Sequence, residues 1–291
     1  MGRRLLSLFR QLGRVLSLVL LAAIGSTILM RYAPGYFVDS REMDAAHAST
    51  IRVQLAALHT EEGSLFSLLR TQATHWAHGD LGTSRHYDLP VSVLIRERSS
   101  CTGQLLLRGL ALGWGLALAL ALPLSARRTG RGEVFIAGST AALLAVPVGV
   151  LATLSLLLNR GGPVVVLGLL IAVRDFKLLY RLLHSSWKAP YLLQARAQGF
   201  SFAQTLRVHL LPVLGPELLA IAMMSLVIAL SALVPVEVIF DRPGLGQLAW
   251  SAATNRDLPV LVAVTALLAS CVGMAALFAD PNRSAEASSC A

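Results

Sequence analysis

Five apolar runs without a single charge decide what this chain can fold into: Val15–Met30, Gly109–Leu124, Val134–Leu158, Leu218–Val236 and Leu258–Ala279. They are 16 to 25 residues long, and the hydrocarbon core of a bilayer takes about 20 apolar residues per helix, within a range of roughly 17–25. A soluble core has no need of such runs. Charged residues make up only 14% of the 291 residues, against about 25% in ordinary soluble domains. A soluble enzyme, a disordered chain and a fibre are excluded. The sequence reads as an all-α polytopic membrane protein.

The charge balance then orients it. Lys and Arg number 25 against 16 Asp and Glu, a net +9. In a soluble protein this excess would suggest nucleic acid; beside apolar runs it marks cytoplasmic helix ends that meet anionic lipid. Arg3, Arg4, Arg10 and Arg14 precede the first run, which ends in Met30–Arg31–Tyr32 with no small-residue cleavage site. It reads as an uncleaved anchor that starts in the cytoplasm. Residues 32–100 are polar and hold five of the seven histidines, as expected of an extracytoplasmic loop with short helices such as Ser49–Arg70. The stretch Ala126–Glu133 returns the chain to the cytoplasm with three arginines. Asn159–Pro163 (NRGGP) is a tight turn, and Val164–Val173 begins a fourth span.

Parity carries that fourth span across. The segment 174–216 holds Arg174, Lys177, Arg181, Lys188, Arg196 and Arg207 against one acid, Asp175, which makes it cytoplasmic. The span therefore extends toward Tyr180, with Arg174 and Asp175 facing protein or snorkelling. Six helices result, with both termini inside. Cys271 lies in an apolar run and Cys290 beside the C-terminus, so the three cysteines (with Cys101) build neither a disulfide framework nor a metal site.

Within the cytoplasmic segment, Pro190–Pro212 reads PYLLQARAQGFSFAQTLRVHLLP. Ala195 and Gly199 fall four apart on one helix face. Gly199 can end that helix in a left-handed conformation, and Ser201 can cap the next, which runs toward His209–Pro212. An Ala-rich helix, a glycine, and Leu211–Pro212 twelve and thirteen residues later resemble the Gly-turned EAA loop of ABC transporter permeases, with His209 in place of a branched apolar residue.

The wider resemblance is to the dipeptide/oligopeptide/nickel permease family, and it runs along nearly the whole chain. Arg31–Gly35 (RYAPG), Gly79–Glu97 (GDLGTSRHYDLPVSVLIRE), Ala195–Gly199 (ARAQG), Glu237–Gly246 (EVIFDRPGLG), Asn255–Pro259 (NRDLP) and Asp280–Arg283 (DPNR) resemble that family's segments in order. The resemblance implies the type I ABC importer permease fold with six transmembrane helices. It divides the chain into an N-terminal end and first helix (1–31), an extracytoplasmic loop (32–100), a permease core (101–280) holding the coupling loop 174–216, and a cytoplasmic tail (281–291). It also implies that Ala195, Arg196, Ala197, Gly199 and Leu211 couple to a separate ATPase, with Pro212 setting the exit. Glu237, Phe240, Pro243, Gly244, Leu245 and Gly246 fall in a segment at the external mouth, where Gly244 and Gly246 free the backbone around Leu245 for a firm turn. Pro190 and Gln198 depart from the family's usual acid and lysine, which reduces the charge of the coupling loop.

The function so implied is the permease subunit of an ATP-driven, binding-protein-dependent importer of peptides or similar solutes, working by alternating access. Its partners are a second permease, two ATP-binding subunits holding ATP and magnesium, an extracytoplasmic solute-binding protein and the bilayer of the cell membrane. No cofactor and no nucleic acid is expected on this chain, which has no phosphate-binding G-x-x-x-x-G-K-[ST] loop and so no ATPase site of its own. A rival reading is a proton-coupled secondary transporter that uses Glu217 or Glu237, but it leaves the Gly199 loop and the PGLG segment unexplained. His75 and His78, three apart in a polar loop, form the one metal-like pair; solvated histidines are the simpler reading, and no metal is expected.

Overall fold

The computed structural model describes residues 2–32, 70, 72, 74–76, 78–126, 145–159, 161–187, 189, 198–201 and 204–279. Every extended element among them is helical: α1 (Gly2–Tyr32), α2 (Val91–Ala126), α3 (Val148–Leu157), α4 (Pro163–Ser186), a π-turn (Thr205–Leu210), α5 (Leu211–Ile239), α6 (Leu245–Thr254) and α7 (Leu258–Ala279). Four stretches are long and apolar enough to cross a membrane, Phe9–Met30, Val91–Ser125, Leu211–Ile239 and Leu258–Ala279. The chain is a polytopic, all-helical membrane protein.

The remaining two expected spans look different. The helix α4 has 24 residues, about 36 Å at 1.5 Å per residue, but carries Arg174, Asp175, Lys177 and Arg181. It begins where Gly162 stands extended and Pro163 occupies the first turn, a position where a missing amide hydrogen costs nothing. It runs past Tyr180 to Ser186. The run Val134–Leu158 is not one unbroken helix. Pro147 is extended (φ −60°, ψ 140°) and starts the ten-residue α3, about 15 Å long and half a bilayer core. Residues 134–144 lie outside the described residues.

Helix ends follow local chemistry. At the end of α5, Phe240 is the cap and Asp241 turns left-handed (φ 48°); Pro243 follows, as is common just past a helix. The turn expected around Leu245 falls earlier, which corrects the sequence reading: the Gly244 amide closes on the Arg242 carbonyl (2.7 Å), Gly244 itself is ordinary extended backbone (φ −113°), and Leu245 and Gly246 open α6. The helix α6 ends with Arg256 left-handed (φ 58°) and the Asp257 amide reaching back to the Ala252 carbonyl (2.8 Å), a Schellman closure on a residue that is not glycine.

Two compact units make up the chain. The first comprises Met1–Thr102 with Asp241–Gly273, the second Gly103–Phe240 with Met274–Ala291. In the first, Val91 and Leu94 at the start of α2 pack with Leu245, Leu248 and Ala252 of α6 and Val260 and Val264 of α7. Ala23 and Met30 of α1 meet Leu258 and Val262 of α7. In the second, Ala117 and Ala121 of α2 face Leu179 and Leu183 of α4 and Leu214 of α5. Here α2 and α4 touch through glycines: a β-carbon on Gly113 would stand 2.7 Å from the Ile171 side chain and 2.9 Å from the Gly168 carbonyl oxygen. Small residues four apart, such as Gly109 and Gly113, are how membrane helices bring backbones close.

Candidate functional site

The second unit carries the glycine turn. Gly199 is left-handed (φ 84°), and among the described residues nothing lies within 4 Å of where a β-carbon would project. Directly after it, the Ser201 amide donates to Gln204 Oε1 (3.0 Å) and the Gln204 amide to Ser201 Oγ (3.4 Å). This is a reciprocal capping box, so the cap expected of Ser201 is present. Phe200, directly after the turn, is exposed, as are Leu211 and Pro212 farther along the following helix. One expectation is corrected: Pro212 does not end a separate helix. The chain stays helical from Gln204 through Ile239, with the π-turn absorbing the proline. Ala195, Arg196, Ala197 and Pro190 lie outside the described residues.

The first unit joins three motifs that the sequence keeps far apart. Asp257, fully buried, accepts hydrogen bonds on Oδ2 from Ser84 Oγ and from the His86 amide (3.3 Å). Ser84 Oγ in turn accepts from the Tyr87 amide (2.9 Å), and Tyr87 Oη meets Ser251 Oγ (3.0 Å). The segment is folded back on itself, since Val91 donates its amide to the Gly82 carbonyl (3.0 Å). Its entry is held by Asp80, which accepts from the Gly82 amide (2.8 Å) and pairs with His75 Nδ1 (3.1 Å). The Gly82 amide, and then His75, hold the Asp80 carboxyl below its ordinary range. Nearby, the first amide of α6, on Leu245, donates to Thr102 Oγ1 (2.8 Å), and Arg98 reaches Gln247 Oε1 (3.1 Å). Thr102 thus satisfies a helix-start donor that has no partner in its own helix.

The clamp on residues 79–90 depends on Asp257. Replacing it with alanine leaves Ser84 Oγ and the His86 amide without their acceptor, and hydrogen bonds to a charged group contribute about 1.5–3 kcal/mol. Hydrogen exchange at the His86 and Tyr87 amides is expected to rise tenfold or more. Unchanged exchange there would show that the clamp is held elsewhere.

The outer segment named from sequence is divided. Pro243, Gly244, Leu245 and Gly246 belong to the first unit, and Glu237 and Phe240 to the second. Glu237 is fully buried inside α5 and Glu217 is exposed on it; both lie within the helix. Twenty residues separate them, about 30 Å along the axis, and this spacing lends no geometry to a proton relay. A second buried acid settles what the sequence left open between facing protein and snorkelling. Asp175, 0% exposed, takes the Ser225 hydroxyl on Oδ2, while Ser225 Oγ receives the Trp114 indole N–H (3.2 Å). Arg174 Nη1 stands 3.6 Å from Oδ1. Asp175 faces protein and does not snorkel. His78 Nδ1 lies against the Thr74 carbonyl (2.8 Å) and His75 against Asp80, so the histidine pair is occupied locally.

Two comparisons bear on this geometry. Residues 109–280 match the family described as binding-protein-dependent transport system inner membrane component. The chain is also 24% identical, over 94% of its length and 95% of the other's, to a protein of Sinorhizobium fredii named "Probable peptide ABC transporter permease protein y4tP".

Proposed function

The chain belongs to the binding-protein-dependent transport system inner membrane components, and from that premise we propose that it is the permease subunit of an ATP-driven importer of peptides. The observation that carries this reading is the Gly199 turn: left-handed, with none of the described residues within 4 Å of the missing side chain, and followed by a capped helix that continues without a break into α5. A surface of this kind receives a partner and passes its displacement into a membrane helix. The family match supports the transport role, and the name of the Sinorhizobium relative supports the solute class.

In this reading the chain crosses the inner membrane six times, with α3 and the residues before it forming one span and α4 another. Both termini are cytoplasmic. The loop 174–216 faces the cytoplasm, and Ala195, Arg196, Ala197, Gly199, Leu211 and Pro212 meet an ATPase subunit. A second permease completes the pathway, two ATP-binding subunits hold ATP and magnesium, and an external binding protein delivers the solute. Closure of the ATPases draws the coupling loops together and opens the helices outward; hydrolysis returns them. The start of α6, Pro243–Gly246, helps close the external mouth.

The test is topology together with assembly. Reporters fused at residues 130, 200 and 288 are expected to read cytoplasmic, and those at 60 and 250 external. The chain is expected to co-purify with its cognate ATPase subunits and to support uptake of labelled di- to pentapeptides. An external reading at 200 would remove the fourth span and the coupling role with it.

A further inference from the structure

Between the Gly199 turn and α5 the helix is wound wide over Thr205–Leu210, and the Leu211 amide reaches back five residues to the Leu206 carbonyl. The sequence contains the cause. Pro212 has no amide hydrogen, and in an ordinary α-helix its ring presses on the carbonyl four residues earlier, that of Val208. Val208 lies in the middle of the wide turn, where the winding is opened. Pro216 has the same chemistry four residues on, yet the helix around it keeps its α-winding.

The two ends of the turn are held differently. Leu210 is 0% exposed and packs with Ala117, Ala121 and Leu183 of the second unit. Thr205 is 1% exposed, yet its hydroxyl has no hydrogen-bond partner among the described residues. A threonine in a regular helix hands that hydroxyl to a carbonyl three or four residues back. Its amide keeps the α-type bond to the Ser201 carbonyl (2.9 Å), so the wide winding lies after this bond. Val208, between the two, is 58% exposed, whereas Leu206 is partly buried and packs against the same core as Leu210. Single π-turns inside α-helices recur at functional sites.

We propose that this turn is a register joint, which rewinds to α-helix and reopens as the ATPases move the Gly199 turn, with Pro212 the positioning residue that holds the two windings close in energy. The proposal rests on the permease reading above. Rewinding shifts everything before the joint by one residue relative to α5, about 100° of rotation and about 1.5 Å of travel. A push on the coupling turn thereby becomes a rotation of residues 201–205, while Leu210 keeps its seat in the core.

The test uses spin labels on cysteines at Gln204 and Leu219, both exposed, with Cys101, Cys271 and Cys290 replaced by alanine. The whole complex with its ATPases is compared nucleotide-free and trapped with ATP and vanadate. The interlabel distance is expected to change by on the order of 5 Å between the two states. Pro212→Ala, which relieves the pressure on the Val208 carbonyl, should collapse the two distances into one, and Pro216→Ala should leave the change intact. One distance in both states of the otherwise native chain, or an undiminished change in Pro212→Ala, overturns the joint. If Pro212→Ala does not assemble, the distances in the otherwise native complex decide alone. ATPases that bind and hydrolyse ATP while the distance stays fixed sink the joint and spare the permease reading; ATPases that never co-purify sink both.

Discussion

Gly113→Val is expected to loosen the second unit more than any other single change considered. The new β-carbon would sit 2.7 Å from Ile171 Cβ and Cγ2 and 2.9 Å from a backbone oxygen, that of Gly168. A flexible side chain could swing away; a backbone carbonyl and a branched β-carbon cannot. Helix α2 must therefore part from α4, and overpacking of this kind costs about 3 kcal/mol, the upper end of the usual range. For a chain of this size that is an apparent Tm lower by roughly 5–10 °C. Tryptophan fluorescence in detergent would report it, since Trp114 is adjacent. Gly115 is the control: nothing lies within 4 Å of its missing β-carbon, so Gly115→Val should stay within about 1 kcal/mol. Equal losses from both would mean that general helix weakening, and not the close approach of α2 to α4, is being measured.

Gly199→Asp should do the opposite, sparing the fold and removing the function. None of the described residues stands within 4 Å of the new β-carbon, so the cost within them is left-handed strain of about 1–2 kcal/mol. A docked ATPase would have to bury an unpaired carboxylate, which costs far more. Insertion is expected at the native level, while co-purification with the ATPases and peptide uptake fall at least tenfold. Gly199→Asn separates the causes, because asparagine tolerates the left-handed region and brings no charge; it should retain most of the association. Native uptake by the aspartate variant would remove this turn from the coupling surface.

Much of this was legible in the residues, and the failures share a cause. The spans Val91–Ser125, Leu211–Ile239 and Leu258–Ala279 announce themselves because lipid leaves backbone groups no alternative to a helix. The Gly199 turn and the Ser201 cap could be read because both are local, settled within four residues. Prolines misled in both directions. Pro147 interrupts a run that hydropathy alone would join, whereas Pro212 interrupts nothing, because a wide turn upstream absorbs it. Gly244 and Gly246 suggested a firm turn around Leu245, but Leu245 and Gly246 are buried in the first turn of α6, where Leu245 packs with distant partners such as Val91 and Val264. The same limit hid the partners of Asp257 and Asp175. Their roles come from Ser84 and Ser225, 173 and 50 residues away, and no local pattern records such a pairing. The motif letters GDLG, RD and PGLG were visible, but not that Asp257 ties the first to the second.

That tie also sets an order of events during synthesis. Ser84 cannot be anchored until Asp257 has been made, 173 residues later. At about 5–20 residues per second, segment 79–90 waits roughly 10–35 seconds with its buried partners missing. During that interval Ser84 and the amides of His86 and Tyr87 are open to water and to proteases, and the finished chain closes them. A ribosome that stops before Asp257 therefore releases a protein whose early helices are in place but whose loop stays unlatched, so cleavage within 79–90 distinguishes unfinished chains from finished ones.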